Sequence, residues 1–188
     1  HRCLDCVNPT CISGCPVGIN IPKFIKNIER GEILEAAKTL KETSVLPAVC
    51  GRVCPQERQC ESQCFYTQKL KKEPLAIGYL ERFAADYERE SGEVSLPEVA
   101  PSNGLKVAVV GSGPAGLAFA ADMVKAGYRV TVFEALHELG GVLRYGIPEF
   151  RLPNDIVEVE IESLRKMGVE FVTNCIVGKT ISQEDLRE

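Results

Sequence analysis

The cysteines are the residues of this chain whose chemistry is clearest. Of nine cysteines, eight lie in the first 64 residues, and Cys175 stands alone. Their spacing is Cys-x2-Cys-x4-Cys-x3-Cys-Pro followed by Cys-x3-Cys-Pro-x4-Cys-x3-Cys, at Cys3, Cys6, Cys11, Cys15, Cys50, Cys54, Cys60 and Cys64. Cys-Pro after a ligand in a four-thiolate site is typical of cubane iron–sulfur clusters. The spacing therefore predicts two [4Fe–4S] clusters, and Cys175 is interpreted as a small apolar core residue.

Three of the cysteine pairs are separated by four residues, a spacing that places both thiols on one face of a helix. Two such pairs facing each other would form a cage around one cluster. We therefore expect one cluster to be held by Cys11, Cys15, Cys60 and Cys64, and the other by Cys3, Cys6 and Cys54. Cysteine counting nominates Cys50 as the fourth ligand of the second group.

Other interpretations of the cysteines are weaker. Structural disulfides are disfavoured for two reasons. The sequence has no signal peptide, and thiols in the cytosol stay reduced. The number of cysteines is also odd. Two structural zinc sites remain an alternative, which would make the chain a zinc-stabilised binding module, although the gaps of three and four residues are less typical of zinc sites. Buried thiols without a metal would not explain eight cysteines so close together.

A glycine-rich loop follows the apolar run at residues 105–110. Gly111 suits the tight turn of a dinucleotide fingerprint, Gly113 lets the backbone approach a pyrophosphate, and Gly116 permits close packing of helix against strand. We predict that the cofactor is bound by Gly111, Ser112, Gly113, Pro114, Ala115 and Gly116, with Glu134 accepting the ribose hydroxyls. A carboxylate there repels a 2′-phosphate, so NAD or FAD is favoured over NADP at this loop.

The elements that position these residues differ between the two halves of the chain. Before residue 90, apolar residues recur at helical spacing and predict helices at 21–30, 32–42 and 75–89, the last with Leu75, Tyr79, Leu80 and Phe83 on one stripe. After residue 105, strands at 105–110, 129–133 and 169–173 alternate with helices at 114–126 and 157–167. The predicted domains are 1–92 and 105–188, joined by a linker at 93–104 that is rich in Ser, Pro, Gly and acidic residues.

Composition excludes several functional classes. The chain has 188 residues, 45% hydrophobic and 26% charged, with a net charge of −4, which is typical of a globular protein. It has no long basic run to gather nucleic acid and no run of 18 apolar residues to span a membrane. We therefore expect a cytoplasmic protein with neither a nucleic-acid nor a membrane partner.

Taken together, the motifs resemble the small-subunit family of NADPH-dependent glutamate synthase. Related proteins are the N-terminal part of dihydropyrimidine dehydrogenase and the large subunit of electron-bifurcating ferredoxin:NADP oxidoreductases. The resemblance is carried by the eight cysteines, Cys15-Pro16-Val17 with Ile21-Pro22, Leu80-Glu81-Arg82-Phe83, the glycine loop, and the segment LGGVLRYGIP at 139–148 leading into FRLP at 150–153. It implies a multidomain α and α/β fold: an all-helical, ferredoxin-like double-cluster domain, then the first part of a Rossmann-like FAD-binding domain.

The resemblance also implies an activity and its cofactors. FAD would occupy the glycine loop, with Glu134 as its ribose ligand and Gly141 and Val142 along the flavin. Electrons would pass between NADPH, FAD and two [4Fe–4S] clusters, then to a partner, either a glutamate synthase large subunit or a ferredoxin:NADP oxidoreductase small subunit. The chain is thus interpreted as an NADPH-dependent flavin and iron–sulfur oxidoreductase subunit, with the bifurcating NADH-dependent enzyme as the alternative. No side chain is expected to act as a catalytic acid or base, because the cofactors carry the chemistry.

Two further expectations follow from the resemblance. A glutamine of dihydropyrimidine dehydrogenase ligates one cluster, and the matching segment here places Glu81 at that position, so Glu81 and Cys50 both remain candidates for the fourth ligand. The family has a second glycine motif, which binds NADP(H), and a final segment that contacts FAD. Both would lie beyond Glu188. We therefore expect a fragment that binds FAD weakly and does not oxidise NADPH by itself.

Overall fold

The first half of the chain folds from helices. The structure is a computed structural model that describes residues 2–187, and these divide into two units between Ser95 and Leu96. The helices of the first unit are α1 (Thr10–Ser13), α2 (Ile21–Glu29), α3 (Ile33–Lys41), α4 (Pro47–Val53), α5 (Phe65–Gln68) and α6 (Ile77–Ser91), with a 3₁₀ turn at Gln56–Arg58. The predicted helices at 21–30, 32–42 and 75–89 are confirmed within two residues, whereas α4 was not predicted.

The core of the first unit is built around α2. Asn20 caps this helix by accepting a hydrogen bond from the Lys23 N–H at 3.3 Å, and Pro22 lies in its first turn. Phe24 is fully buried against Leu40 of α3 and Ala84 of α6. The partly buried thiols of Cys3, Cys11 and Cys15 pack against this cluster. The apolar core therefore forms one wall of the cysteine region.

The buried face of α6 differs from the predicted stripe. Tyr79 is 77% exposed and Phe83 is 46% exposed, so these two residues do not face the core. The buried residues of α6 are Ile77, Gly78, Glu81, Ala84, Ala85 and Glu88. Small residues let α6 lie close to α4, and polar residues are buried where they have charged partners, such as Glu88, which pairs with Lys41 at 2.5 Å. The predicted stripe is therefore confirmed for Leu75 and Leu80, which pack against the core, and wrong for Tyr79 and Phe83.

The second unit is a small parallel sheet covered by helices. Its elements are β1 (Lys106–Val110), α7 (Pro114–Lys125), β2 (Arg129–Phe133), α8 (Val142–Tyr145), α9 (Asn154–Lys166), β3 (Glu170–Val172) and a 3₁₀ turn at Asp185–Arg187. The strand order is β1-β2-β3, and Val132 of the central strand pairs with Val109 and Phe171. The predicted alternation of strands and helices is confirmed. Since the strands are parallel, the loops after β1 and β2 meet at one edge of the sheet.

The segment predicted as a linker is divided between the two units. Ser95 donates its N–H and hydroxyl to Oε1 of Glu88 at 3.1 and 2.6 Å, within the first unit. The Ala100 N–H donates to the Lys125 carbonyl at 2.9 Å, within the second unit. The outer limits of the predicted domains, His1 and Glu188, lie outside the described residues. None of the helices formed by residues 2–187 is both long enough and apolar enough to cross a membrane.

Candidate cofactor sites

Four of the eight clustered cysteines line one pocket in the first unit. They are Cys3 and Cys6 from the extended N-terminal segment, Cys11 from α1, and Cys64 from the residue before α5. Leu4, Pro9, Phe65, Tyr66 and Leu75 complete the walls, together with Thr10 and Pro22. The Thr10 hydroxyl donates to the Gln63 carbonyl at 2.5 Å and so joins the start of α1 to the turn before Cys64. We call this group the N-terminal thiol pocket.

Cys15 and Cys60 lie together on another side of the same unit. A Cβ atom on Gly14 would lie 3.1 Å from the Cα of Cys60 and 2.9 Å from the Gln59 carbonyl oxygen, so only glycine allows this approach. Burial raises the pKa of the Cys60 thiol to about 12, and the charges of Glu61, Glu81 and Cys15 act in the same direction. Cys15, Cys60 and Glu81 are therefore neighbours in space.

The remaining two thiols lie where α4 faces α6. A Cβ atom on Gly51 would lie 2.6 Å from the Arg82 nitrogen, which brings the turn that carries Cys50 against the turn that carries Glu81. Cys50 hydrogen-bonds to Cys54, which raises the pKa of Cys50 and lowers that of Cys54 to about 7. Glu81 is only 5% exposed. We call Cys15, Cys50, Cys54, Cys60 and Glu81 the second thiol group.

The predicted grouping of the cysteines is wrong in one respect. Cys11 and Cys64 lie with Cys3 and Cys6, whereas Cys15 lies with Cys60. A separation of four residues brings two thiols together only within a continuous helix. Here α1 ends at Ser13, before Cys15, and the residues from Cys60 to Cys64 form turns rather than a helix. Each of these pairs is therefore split, with one cysteine facing each group.

The state of the thiols bears on whether they form disulfides or bind a metal centre. All nine cysteines are free, so the disulfide interpretation is wrong. Burial raises the pKa of Cys11 to about 11, with the neighbouring Cys64 thiol adding to the shift, so ionisation requires a compensating positive charge such as a metal centre. Within residues 2–187, no three Cys, His, Asp or Glu side chains converge on a single ion position.

The glycine loop after β1 has the geometry of a phosphate cradle. Gly111 has a φ of +93°, which a side chain would strain. A Cβ atom on Gly116 would lie 2.0 Å from the Gly111 carbonyl oxygen, so helix α7 can approach β1 only with glycine there. The space around Gly113 is open, since a Cβ atom on that residue would meet no heavy atom of the described residues within 4 Å. Pro114 and Ala115 are exposed in the first turn of α7, whose N–H groups face that space.

Ser112 and Glu134 form a buried hydrogen-bond network behind the loop. Oε2 of Glu134 accepts from the Ser112 N–H at 2.8 Å and from its hydroxyl at 2.5 Å, and Oε1 accepts from the Leu136 N–H at 2.9 Å. Burial alone raises the pKa of Glu134, but the bonds from Ser112 and from backbone N–H groups outweigh it and leave the pKa below its usual value. The Ser112 side chain is fully buried and points away from the open side of the loop.

Sequence reasoning missed this structural role of Ser112. Its hydroxyl also accepts a hydrogen bond from the Gly140 N–H at 3.0 Å, which ties the loop to the Gly-Gly segment. Gly141 has a φ of +53°, and a Cβ atom there would lie 2.9 Å from the Cα of Gly113. Val142, the next residue, is 56% exposed. Serine follows glycine in many loops, so no sequence pattern indicated that the Ser112 hydroxyl would bond Glu134 and Gly140.

Comparisons with known proteins find a family match in each half of the chain. Residues 1–93 match the family described as dihydropyrimidine dehydrogenase domain II, 4Fe-4S cluster, and residues 109–160 match the NAD(P)-binding Rossmann-like domain. One solved structure, a 6-hydroxypseudooxynicotine amine oxidase from Pseudomonas geniculata N1, matches 96% of this chain and 22% of its own, at 20% identity with a TM-score of 0.40. That structural similarity is too low to carry an argument.

Two curated relatives match nearly the whole chain. The NAD-dependent dihydropyrimidine dehydrogenase subunit PreT of Escherichia coli O157:H7 is 41% identical over 187 residues, which are 99% of this chain and 44% of the relative. The glutamate synthase [NADPH] small chain of Escherichia coli K12 is 40% identical over 185 residues, which are 98% of this chain and 39% of the relative. The chain thus spans less than half the length of these relatives. The predicted resemblance is confirmed: the chain is a homologue of the glutamate synthase small chain and the dihydropyrimidine dehydrogenase subunit PreT along almost all of its length.

Proposed function

We propose that this chain carries the electron-transfer centres of an NADPH-dependent flavin and iron–sulfur oxidoreductase subunit of the glutamate synthase small-chain type. The observation that carries the proposal is the N-terminal thiol pocket, in which four cysteines meet inside a unit that matches a 4Fe–4S family. Relatives at 41% and 40% identity support an oxidoreductase function.

The two thiol groups are proposed to hold one [4Fe–4S] cluster each. Cys3, Cys6, Cys11 and Cys64 would hold the first, and Cys15, Cys54 and Cys60 the second, with Cys50 or Glu81 as its fourth ligand. Bound clusters accept and release single electrons. The part played by the chain is to supply the thiolates and, through Leu4, Phe65 and Tyr66, an apolar wall that limits access of water. Such a wall favours the less charged state of a centre.

The glycine loop is proposed to bind FAD. The open space at Gly113 and the N-terminus of α7 suit a pyrophosphate. Oε1 of Glu134 accepts from the Leu136 N–H, and a carboxylate oxygen has a second lone pair with which it can accept from a ribose hydroxyl. Bound FAD would accept a hydride from a nicotinamide. An NADP(H) site is proposed for the longer protein, since this chain spans 39–44% of its relatives.

The parent enzyme and its partner subunit are proposals of the same kind. Glutamate synthase is the first candidate, and dihydropyrimidine dehydrogenase is the second, because a relative of each kind matches at about the same identity. In either case a second oxidoreductase subunit would receive the electrons. We propose the cytoplasm as the compartment, since reduced thiols are the form that binds a cluster and all nine cysteines are free.

Cysteine substitutions test the cluster proposal. After anaerobic reconstitution with iron and sulfide, the chain should contain about eight irons, as two cubane clusters require, and should be brown. Cys11→Ser and Cys64→Ser should remove the same paramagnetic signal as Cys3→Ser, and Cys60→Ser the same signal as Cys15→Ser. The matched control is Cys175→Ser, which should retain both signals. A colourless protein that binds zinc instead would overturn the proposal, and loss of one common signal in Cys60→Ser and Cys3→Ser would overturn the grouping.

The fourth ligand of the second thiol group needs a separate experiment. Glu81→Gln and Cys50→Ser variants would be titrated with paramagnetic resonance detection. If Glu81 is the ligand, Glu81→Gln shifts the potential of the second cluster and Cys50→Ser leaves it in place, since ligand type and local charge set the potential. The opposite result assigns the position to Cys50.

A further inference from the structure

An ion pair on α2 lies directly against the N-terminal thiol pocket. Nζ of Lys26 donates to the backbone carbonyl of Cys3 at 2.9 Å and lies 2.7 Å from Oε2 of Glu29. The side chains of Lys26 and Glu29 are only 24% and 17% exposed. Asp5 lines the same surface hollow as Lys26. The Lys26 charge is therefore held in place beside one of the four thiols.

The buried pair of Lys41 and Glu88 joins α3 to α6 and contacts Ser95, not a cysteine. The exposed pairs of α2 and α3 differ from the Lys26–Glu29 pair in their burial. Lys23 pairs with Glu42, with side chains 48% and 51% exposed, and Lys38 pairs with Glu35 at 2.5 Å, with side chains 54% and 57% exposed. Water screens such exposed pairs, so they contribute little to their surroundings. A half-buried charge in direct contact with a ligand residue is screened much less. Among these pairs only Lys26 and Glu29 are placed to act on the pocket.

We propose that Lys26 and Glu29 set the reduction potential of the centre bound by Cys3, Cys6, Cys11 and Cys64. The inference rests on the proposed function, because it requires a cluster in that pocket. Reduction adds one negative charge to the centre. The Lys26 ammonium, which bonds the Cys3 carbonyl, stabilises the reduced state, and the Glu29 carboxylate paired with it opposes that effect. Net charge and hydrogen bonding near the ligands are established determinants of cluster potential.

The two charges should act in opposite directions. In redox titrations of the reconstituted chain, Lys26→Met should lower the potential of the first centre, because it removes the positive charge that bonds the Cys3 carbonyl. Glu29→Gln should raise it, because the glutamine oxygen can still accept from Lys26 while the negative charge is gone. Lys26→Arg keeps the positive charge, so its potential should stay close to that of the unaltered chain.

Controls separate this inference from the proposed function. Lys38→Met removes a lysine from an exposed pair on α3 and should leave both potentials unchanged. None of the variants should move the potential of the centre at Cys15, Cys54 and Cys60. If the unaltered chain forms no cluster at the N-terminal thiol pocket, the proposed function and this inference are both overturned. If the cluster forms but its potential is the same in all variants, or Lys26→Met and Glu29→Gln shift it in the same direction, the inference alone is overturned.

Discussion

Gly113 and Gly116 lie three residues apart in one loop, but their missing side chains serve different purposes. A methyl group on Gly116 would lie 2.0 Å from the Gly111 carbonyl oxygen, whereas one on Gly113 would meet no atom of the described residues within 4 Å. The φ of Gly113 is −67°, which alanine adopts without strain. Gly116 is therefore required by the fold, and Gly113 is required only if a ligand approaches the loop.

Alanine substitutions should separate these two roles. Gly116→Ala should lower the free energy of unfolding by roughly 1–3 kcal/mol, the range for overpacking. Gly113→Ala should keep or slightly raise that free energy, since alanine reduces the freedom of the unfolded chain, but should weaken FAD binding. Urea unfolding, followed by the amide signals of Val130 and Val132, and flavin fluorescence titration measure the two effects. Unchanged FAD affinity in Gly113→Ala would argue against a pyrophosphate at this loop.

The Glu134 carboxylate should make the second unit sensitive to acid. Hydrogen bonds from Ser112 and backbone N–H groups hold its pKa below the usual value despite burial. The stabilisation it provides is therefore complete above the unfolded pKa of about 4.3 and is lost as the pH falls through the lower pKa of the folded protein. Glu134→Gln should be less stable at neutral pH, because its amide cannot accept all three bonds, and should lose less stability on acidification.

The control for this pH dependence is the Glu170→Gln variant. The Glu170 carboxylate pairs with Arg129, and its side chain is 54% exposed. That variant should retain the acid sensitivity of the unaltered chain. Urea midpoints of the second unit, measured from neutral pH downwards, provide the comparison. An identical pH profile for Glu134→Gln and the unaltered chain would show that another group is responsible.

A buried ion pair joins α4 to α6. Arg52 of α4 is 5% exposed and donates to both oxygens of Asp86 on α6, at 2.7 and 2.9 Å. Removing one partner of such a pair leaves an uncompensated charge inside the protein. Asp86→Asn should therefore destabilise the first unit by roughly 3 kcal/mol, the lower end of the range for buried pairs, because Asp86 is itself 21% exposed.

The matched control is Glu35→Gln, which breaks an exposed pair with Lys38 on α3 and should cost at most about 1 kcal/mol. Urea unfolding followed by the amide signals of Phe24 and Leu40 reports on the first unit. Because α4 carries Cys50 and α6 carries Glu81, Asp86→Asn should also reduce the iron content of the second centre more than that of the first. Equal stability of the two variants would mean that the contact does not depend on this pair.

The regular elements could be predicted where their own residues decide their structure. Helix α2 has a capping asparagine, a proline in its first turn and an apolar face at helical spacing, and it begins at the predicted residue. Helix α4 begins at Pro47 and has only seven residues, too few for a periodic pattern. The face of α6 was only partly predicted: Leu80 packs against the core, but Glu81 and Glu88 are buried while Tyr79 is exposed. Only contacts with other helices determine that choice.

The connection between the two units should contain the first site of proteolysis in the whole molecule. Ser95 is bonded to Glu88 and Ala100 to Lys125, and these bonds anchor the two ends of the connection. Leu96 and Val99 are 40% and 45% exposed, and the exposed Glu98 lies between them. Glutamyl endoproteinase should therefore cut first after Glu98, and mass spectrometry should identify fragments 1–98 and 99–188. Glu98→Gln should slow this cleavage, whereas an initial cut before Ser95 or after Ala100 would contradict the division.

The sequence by itself determined the types of chemistry and the local elements. Eight clustered cysteines indicated two metal centres, and the glycine loop between an apolar strand and a helix indicated a dinucleotide cradle, because each motif depends on residues close together in the chain. The roles predicted for Gly111 and Gly116 agree with the structure for the same reason. Both motifs are local, so their geometry follows from backbone rules.

The tertiary structure alone decided which distant residues meet. Cys64 joins Cys3, Cys6 and Cys11 because the turn before α5 packs against the N-terminal segment, and Cys15 joins Cys60 because Gly14 permits close contact. The placement of Lys26 against Cys3 and of Ser112 between Glu134 and Gly140 likewise arises from packing. Spacing along a chain specifies contacts only within a continuous helix or strand. Where the backbone turns or bends, as it does at Cys15, Cys54, Cys60 and Cys64, the packing of the whole unit determines the partners.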